Sequence, residues 1–209
     1  MERSMFCAVA IDDVRDVFRA APELTARLSA VATEAFGGET PHRTGWLAPL
    51  MRRHRPTEVD PSVPTSQDMQ ALLTGAYVAP DRLRPSWRLL AVWLAHLSAA
   101  SATVDLDRDA WDAVEWELAR AGLNSDYALR SLCDRSIGLP LPPLPGAVAG
   151  YAKHVHAVEA LAALGEAAPR ADLAPEGREA LARIVDVLRA VAADERLDVV
   201  VVGLADPVP

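Results

Sequence analysis

The densest apolar stretch of the chain runs from Ser86 to Ala100, where only Ser86, Arg88, His96 and Ser98 are polar. A helix that is apolar on nearly every side is buried. Trp87, Leu90, Leu94 and Leu97 recur at spacings of three and four and so share a face. Pro85 suits a first turn, where its missing N–H is no loss. The run is too short to cross a bilayer, which takes ~20 apolar residues, and it carries Arg88 and His96. It is predicted to be the central core helix, with His96 a hydrogen-bonded core histidine.

A second helix follows in DLDRDAWDAVEWELARAGL, with Trp111, Val114, Leu118 and Ala121 at helical spacing and Gly122 as a left-handed stop. A third is expected from Ser125 to Cys133, capped by Ser125. Before the central helix, MFCAVAI (Met5–Ile11) reads as a short buried strand. A short helix capped by Asp12 or Asp13 comes next. Pro22 then opens a helix whose inner stripe is Leu24, Leu28 and Val31, and Gly37-Gly38 stops it. Residues 37–64 hold Pro41, Pro49, Pro56, Pro61 and Pro64 and are the least regular part. Thr65 and Asp68 resemble a capping box for a helix that ends at Gly75.

After Cys133, Pro140, Pro142, Pro143 and Pro145 impose an extended crossing. Near the end, Leu181, Ile184, Val185, Leu188 and Val191 mark an amphipathic helix over Glu179–Ala192. LDVVVVGL is then a strand with a continuous apolar centre, buried on both faces. Its natural partner is the strand at Met5–Ile11. The expected fold is α+β and mostly helical: a central buried helix with a small sheet formed by the N- and C-terminal strands, in a single globular domain over 1–209.

Composition narrows the function classes. The net charge of −8 and pI of about 5.1 argue against a general nucleic-acid or anionic-membrane binder, which needs a basic face. They suit a cytoplasmic protein, or a partner for something basic. Among the 21 basic residues Lys153 is the one lysine; with so much alanine this suggests a GC-rich, actinobacterial-type genome. Cys7 and Cys133 are too few and too far apart for a disulfide framework, so free thiols in a reducing compartment are expected. Asp12 and Asp13 follow the first apolar run at once, which is not the pattern of a signal peptide.

Motifs that carry chemistry are scarce. Asp105, Asp107 and Asp109 invite a calcium-loop reading, but the sixth and twelfth positions, which call for Gly and Glu, are Ala110 and Trp116. Glu115 and Glu117 lie two apart on a helix and point away from each other. Arg52, Arg53 and Arg55, with His54 between them, are candidates for a carboxylate, a phosphate or an acidic partner surface, against a solvated helix end. The densest polar group is Tyr151, Lys153, His154 and His156. It is a surface helix entrance or, with His42 and His54, a set of general acids and bases. His154 and His156 share a face, as a metal pair must, only on extended backbone. No Gly-rich dinucleotide loop follows a strand and no cofactor is implied.

The order of GWLAPLMRRHRP, VDPSVPTSQDMQALLTG, SWRLLAVWLAHLSA, DAWDAVEWELARAG, LPLPPLPG and a final helix before an apolar strand resembles a family of uncharacterised actinobacterial proteins, over roughly residues 44–204. More distantly, the strand–helix start and helix–strand finish are similar to YfbM-like domains. The resemblance implies a mixed α and β fold in a soluble bacterial protein and carries no established catalytic residues.

Two functional readings follow. The first is a non-catalytic binding or accessory protein, immunity- or regulator-like, that presents an acidic surface to a protein partner. It rests on the charge and on the lack of any nucleophile, zinc or phosphate-loop motif. The second is a small-molecule enzyme or ligand binder whose His/Tyr/Lys site assembles from the 41–64 and 150–156 segments. Neither reading involves nucleic acid or a membrane.

Overall fold

The computed structural model describes residues 2–37, 62–145 and 147–205. Four strands form one antiparallel sheet: β1 (Glu2–Val9), β2 (Ala100–Leu106), β3 (Ala149–Ala152) and β4 (Asp198–Ala205), in the order β2–β1–β4–β3. The two strands predicted to meet are the central pair, with Phe6 opposite Val201 and Cys7 opposite Val200. Successive side chains on a strand point to opposite faces, and both faces of this pair are covered. Val199, Val200, Val201 and Val202 are all buried, as a continuous apolar strand requires.

The sheet divides the interior in two. On one face Met5, Cys7, Val9, Val200 and Val202 pack with α1 (Ile11–Asp16), α2 (Pro22–Phe36), α3 (Ser66–Thr74) and α4 (Leu83–Leu97). On the other, Phe6, Ala8, Val104, Val199 and Val201 pack with α5 (Arg108–Arg120), α6 (His154–Ala167) and α7 (Pro175–Ala192). The fold is α+β and mostly helical.

The helix α4 is the buried centre of its layer, as its composition predicts. Trp87, Leu90, Trp93 and Leu94 are each 3 % exposed or less. Buried indole N–H groups need acceptors: Trp93 Nε1 donates to Leu28 O at 2.9 Å, and Trp87 Nε1 donates to Pro142 O at 2.8 Å, pinning the proline-rich crossing to α4. His96 departs from the expectation. It is exposed, not a core residue, because two residues turn the helix by about 200° and carry it away from Leu94 and the sheet.

Three further expectations change. The helix predicted to reach Ala100 ends at Leu97, and Ala100 starts β2. The helix expected over Ser125–Cys133 is two 3-10 turns, Ser125–Tyr127 and Leu129–Cys133. The first is capped by Asn124, whose side chain accepts from Asp126 N at 3.0 Å, and not by Ser125. The strand β3 lies within the stretch read as a helix entrance. Gly150 in β3 is required by close approach: a Cβ there would lie 1.9 Å from Cys133 O, so only glycine lets the 133–135 segment lie against the strand.

Candidate functional site

Lys153 and His154 converge on one buried acid that the sequence reading did not single out. Asp198, at the start of β4, is 5 % exposed. Its Oδ1 accepts His154 N at 3.0 Å, and its Oδ2 accepts Ile11 N at 3.3 Å and Lys153 Nζ at 3.3 Å. Ile11 and His154 are the first residues of α1 and α6. One carboxylate therefore satisfies a free N–H at two helix starts, where the helix dipoles also favour negative charge. Tyr151 is buried in β3, with Arg15 over its ring at 5.8 Å and Lys153 at 5.5 Å. These are joints of the fold: the backbone of His154, the ammonium of Lys153 and the Tyr151 ring are occupied in holding strands to helices.

The two histidines part company. Because α6 begins at His154, the backbone is helical and the two imidazoles leave it in different directions. The extended geometry that an H-x-H metal pair requires is absent, and the metal reading of His154 and His156 fails on that ground. His154 keeps a buried Nδ1 that has no hydrogen-bond partner. His156 Nε2 lies 3.0 Å from Ser131 Oγ, and its ring tilts against Tyr127 at 5.6 Å. Tyr127 donates to Glu159 Oε2 at 3.4 Å, and that carboxylate raises the phenol above its ordinary pKa. Ser131 resembles a base-activated nucleophile, but its Oγ is also 2.7 Å from Ala128 O. A hydroxyl has one proton. Given to the Ala128 carbonyl, it makes His156 Nε2 the donor in the Ser131 contact, which is the reverse of activation.

His42, His54, Arg52, Arg53 and Arg55 lie outside the described residues, so the pairing of the 41–64 segment with 150–156 has no geometry here. Among the described residues no group of three or more His, Cys, Asp or Glu side chains is arranged to hold a metal ion. No helix among them is long and apolar enough to cross a membrane. Both thiols are free, and burial pushes each up to about 11. A groove of about 570 Å³ is lined by Arg15, Phe18, Arg19, Gly75, Leu139 and Pro140; Tyr151, Lys153, His154 and His156 do not line it.

The surface has one further feature. Trp116 is 64 % exposed on α5. Its helix carries Asp109, Asp112, Glu115 and Glu117 against Arg108 and Arg120. Three of these acids are engaged: Glu115 Oε1 accepts Arg130 N at 2.9 Å, Asp112 pairs with the Arg130 guanidinium, and Glu117 pairs with Arg120. Burial raises the Glu115 carboxyl above its ordinary pKa, against the Arg130 contacts. Trp116 itself has no ring partner among the described residues. The sequence reading placed Trp111 correctly towards the core, where it stacks on Phe6 at 6.3 Å, and passed over Trp116. The signal was available: 116 is out of phase with the stripe of Val114 and Leu118. No family model, no curated protein and no solved structure matches the chain.

Proposed function

We propose that this chain is a non-catalytic accessory protein of the cytoplasm that docks on a basic protein partner through α5, with Trp116 as the anchor. The observation that carries the reading is the exposed indole on an acid-rich helix. A large aromatic that the fold leaves unburied, on a helix with four acids against two arginines, has the composition of an interface hot spot, and the excess of acids supplies steering and register towards a basic surface. The chain's net charge of −8 acts in the same direction. The pairing of the Lys153 ammonium with Asp198 also favours docking over catalysis, because a group tied into the fold is a poor proton shuttle.

The test is retention of partners by the immobilised chain at rising salt, compared with Trp116→Ala and with Asp112→Lys. The docking reading expects a basic protein that is released as salt rises and is held at least tenfold more weakly by both variants. Retention indifferent to Trp116 would remove the reading.

A second reading, a small-molecule enzyme, is favoured by one contact, Ser131 Oγ to His156 Nε2 at 3.0 Å. It requires the Ser131 proton to leave the Ala128 carbonyl for the imidazole. A fluorophosphonate that labels Ser131 in the native chain, and not in His156→Ala, would establish it in place of docking.

A further inference from the structure

The sheet has one closed edge and one open edge. At the β3 edge Tyr151 N donates to Arg135 O at 2.9 Å, and an isolated bridge joins the two residues. Among the described residues the β2 edge has no such backbone cover. Which of its groups point outward follows from the sheet itself. Gly203 N donates to Val148 O at 2.6 Å, and hydrogen-bonding direction alternates along an antiparallel strand. Odd-numbered residues of β4 therefore face β3, and even-numbered ones face β1. The pairing of Val200 with Cys7 carries the alternation into β1, and that of Ala8 with Ala100 carries it into β2. The backbone N–H and C=O groups of Ser101, Thr103 and Asp105 are left pointing away from the sheet. Arg183 agrees with this, since its Nη1 reaches Thr103 O at 3.2 Å from α7. No other described group bonds to that edge.

Exposed edges are ordinarily blunted by lysine, proline or a bulge. The β2 sequence ASATVDL has neither lysine nor proline, and its register with β1 runs unbroken from Ala100 to Leu106. We propose that this edge pairs with β2 of a second copy of the chain, antiparallel about a two-fold axis at Thr103, giving one sheet continuous across a dimer. The register that overlaps the whole strand is self-complementary. Thr103 faces Thr103 of the partner subunit, a favourable cross-strand pair. Ser101 faces Asp105 of the partner subunit, hydroxyl donor to carboxylate, and the two-fold axis repeats the contact. On the face covered by α7, Ala102 meets Val104 of the partner subunit and Ala100 meets Leu106 of the partner subunit, apolar against apolar. The outward groups of 101, 103 and 105 then form three hydrogen-bonded pairs. A carbonyl has two lone pairs, so Thr103 O can keep Arg183. The two copies of Asp105 stay apart, whereas an axis at Asp105 would set them face to face.

Sedimentation of the full chain over a wide concentration range tests this, with two variants of opposite expected sign. Thr103→Lys places two ammonium groups against each other at the axis, on the sheet face of β2 opposite α7, and is expected to weaken dimerisation at least tenfold. Ser101→Arg sets a guanidinium against Asp105 of the partner subunit and is expected to strengthen dimerisation. Amide exchange at Ser101, Thr103 and Asp105 should slow as the dimer forms. A chain that stays monomeric at every concentration overturns the proposal. So does a dimer whose affinity ignores both variants, or an edge that takes up an extended peptide of another protein while the chain stays monomeric.

Discussion

At the residue scale the structure turns on Asp198. Its two oxygens hold the first N–H of α1, the first N–H of α6 and the Lys153 ammonium. Removing the carboxylate strands two backbone donors at a buried joint. Asp198→Ala is expected to cost about 2–4 kcal/mol, a fall of roughly 5–15 °C in the thermal midpoint for a chain of this size. Lys153, whose side chain is 47 % exposed, contributes as surface pairs do, and Lys153→Ala should stay within about 1 kcal/mol. Thermal unfolding of the two variants side by side checks the contrast. A Lys153 effect as large as that of Asp198 would mean that the ammonium, not the backbone, is the partner that matters. Half of this joint was legible: Tyr151, Lys153 and His154 stand out as a polar group at a helix start. Asp198 does not, because an acid before a valine run looks like an exposed turn, and nothing local says that it meets residues far away in sequence.

At the scale of elements, α3 shows what local pattern can and cannot reveal. Thr65 and Asp68 form the predicted capping box: Asp68 N donates to Thr65 Oγ1 at 3.3 Å, and Thr65 N donates to Asp68 Oδ2 at 2.7 Å. The same carboxylate takes the Arg82 guanidinium at 3.0 and 2.5 Å, a long-range pair that no motif announces. Burial opposes ionisation of Asp68, but the hydrogen bonds from Arg82 and Thr65 outweigh it and hold the carboxyl below the ordinary value of 3.8. A native pKa below the unfolded one contributes stability above pH 3.8 that is lost as pH falls through the native value. Asp68→Asn should therefore cost about 2–4 kcal/mol at neutral pH. The gap to the unsubstituted chain should close only below pH 3.8, as urea unfolding in a pH series would show. A gap unchanged at low pH would assign the effect to packing.

The missed strands differ in kind. In β2, Ala100, Ala102, Val104 and Leu106 alternate with Ser101, Thr103 and Asp105. That period-two signal is complete, but it is weak because its apolar members are small and it adjoins a strong helix. In β3 only four residues, AGYA, are extended, too few for periodicity to register. Its existence is set by β4 and by the 133–135 segment lying against Gly150.

At the scale of the whole molecule, the buried ends of the alternating pattern meet across one sheet. Leu94 and Leu188 lie in the two separate clusters, fully buried in each. Because β1 and β4 are walls of both layers, the layers cannot melt independently. Leu94→Ala and Leu188→Ala should each cost about 2–5 kcal/mol, and each variant should unfold in a single calorimetric transition. Two resolved transitions would show that the sheet does not couple its faces. What the overall pattern could not convey is function: Lys153 and the His154 backbone serve a joint at Asp198, and Trp116, out of phase with the buried stripe of its helix, is left outside the core.

The most direct measurement of the docking proposal is the thermal midpoint of the chain with a macromolecular fraction of native extract and, separately, with a small-molecule fraction. A ligand well above its dissociation constant stabilises by a few kcal/mol, and each kcal/mol moves the midpoint by about 2–4 °C. Docking through α5 predicts a rise with the macromolecular fraction alone, lost in Trp116→Ala and kept in His156→Ala. A rise with the small-molecule fraction, lost in His156→Ala and kept in Trp116→Ala, would contradict it and move the function to the Ser131–His156 contact.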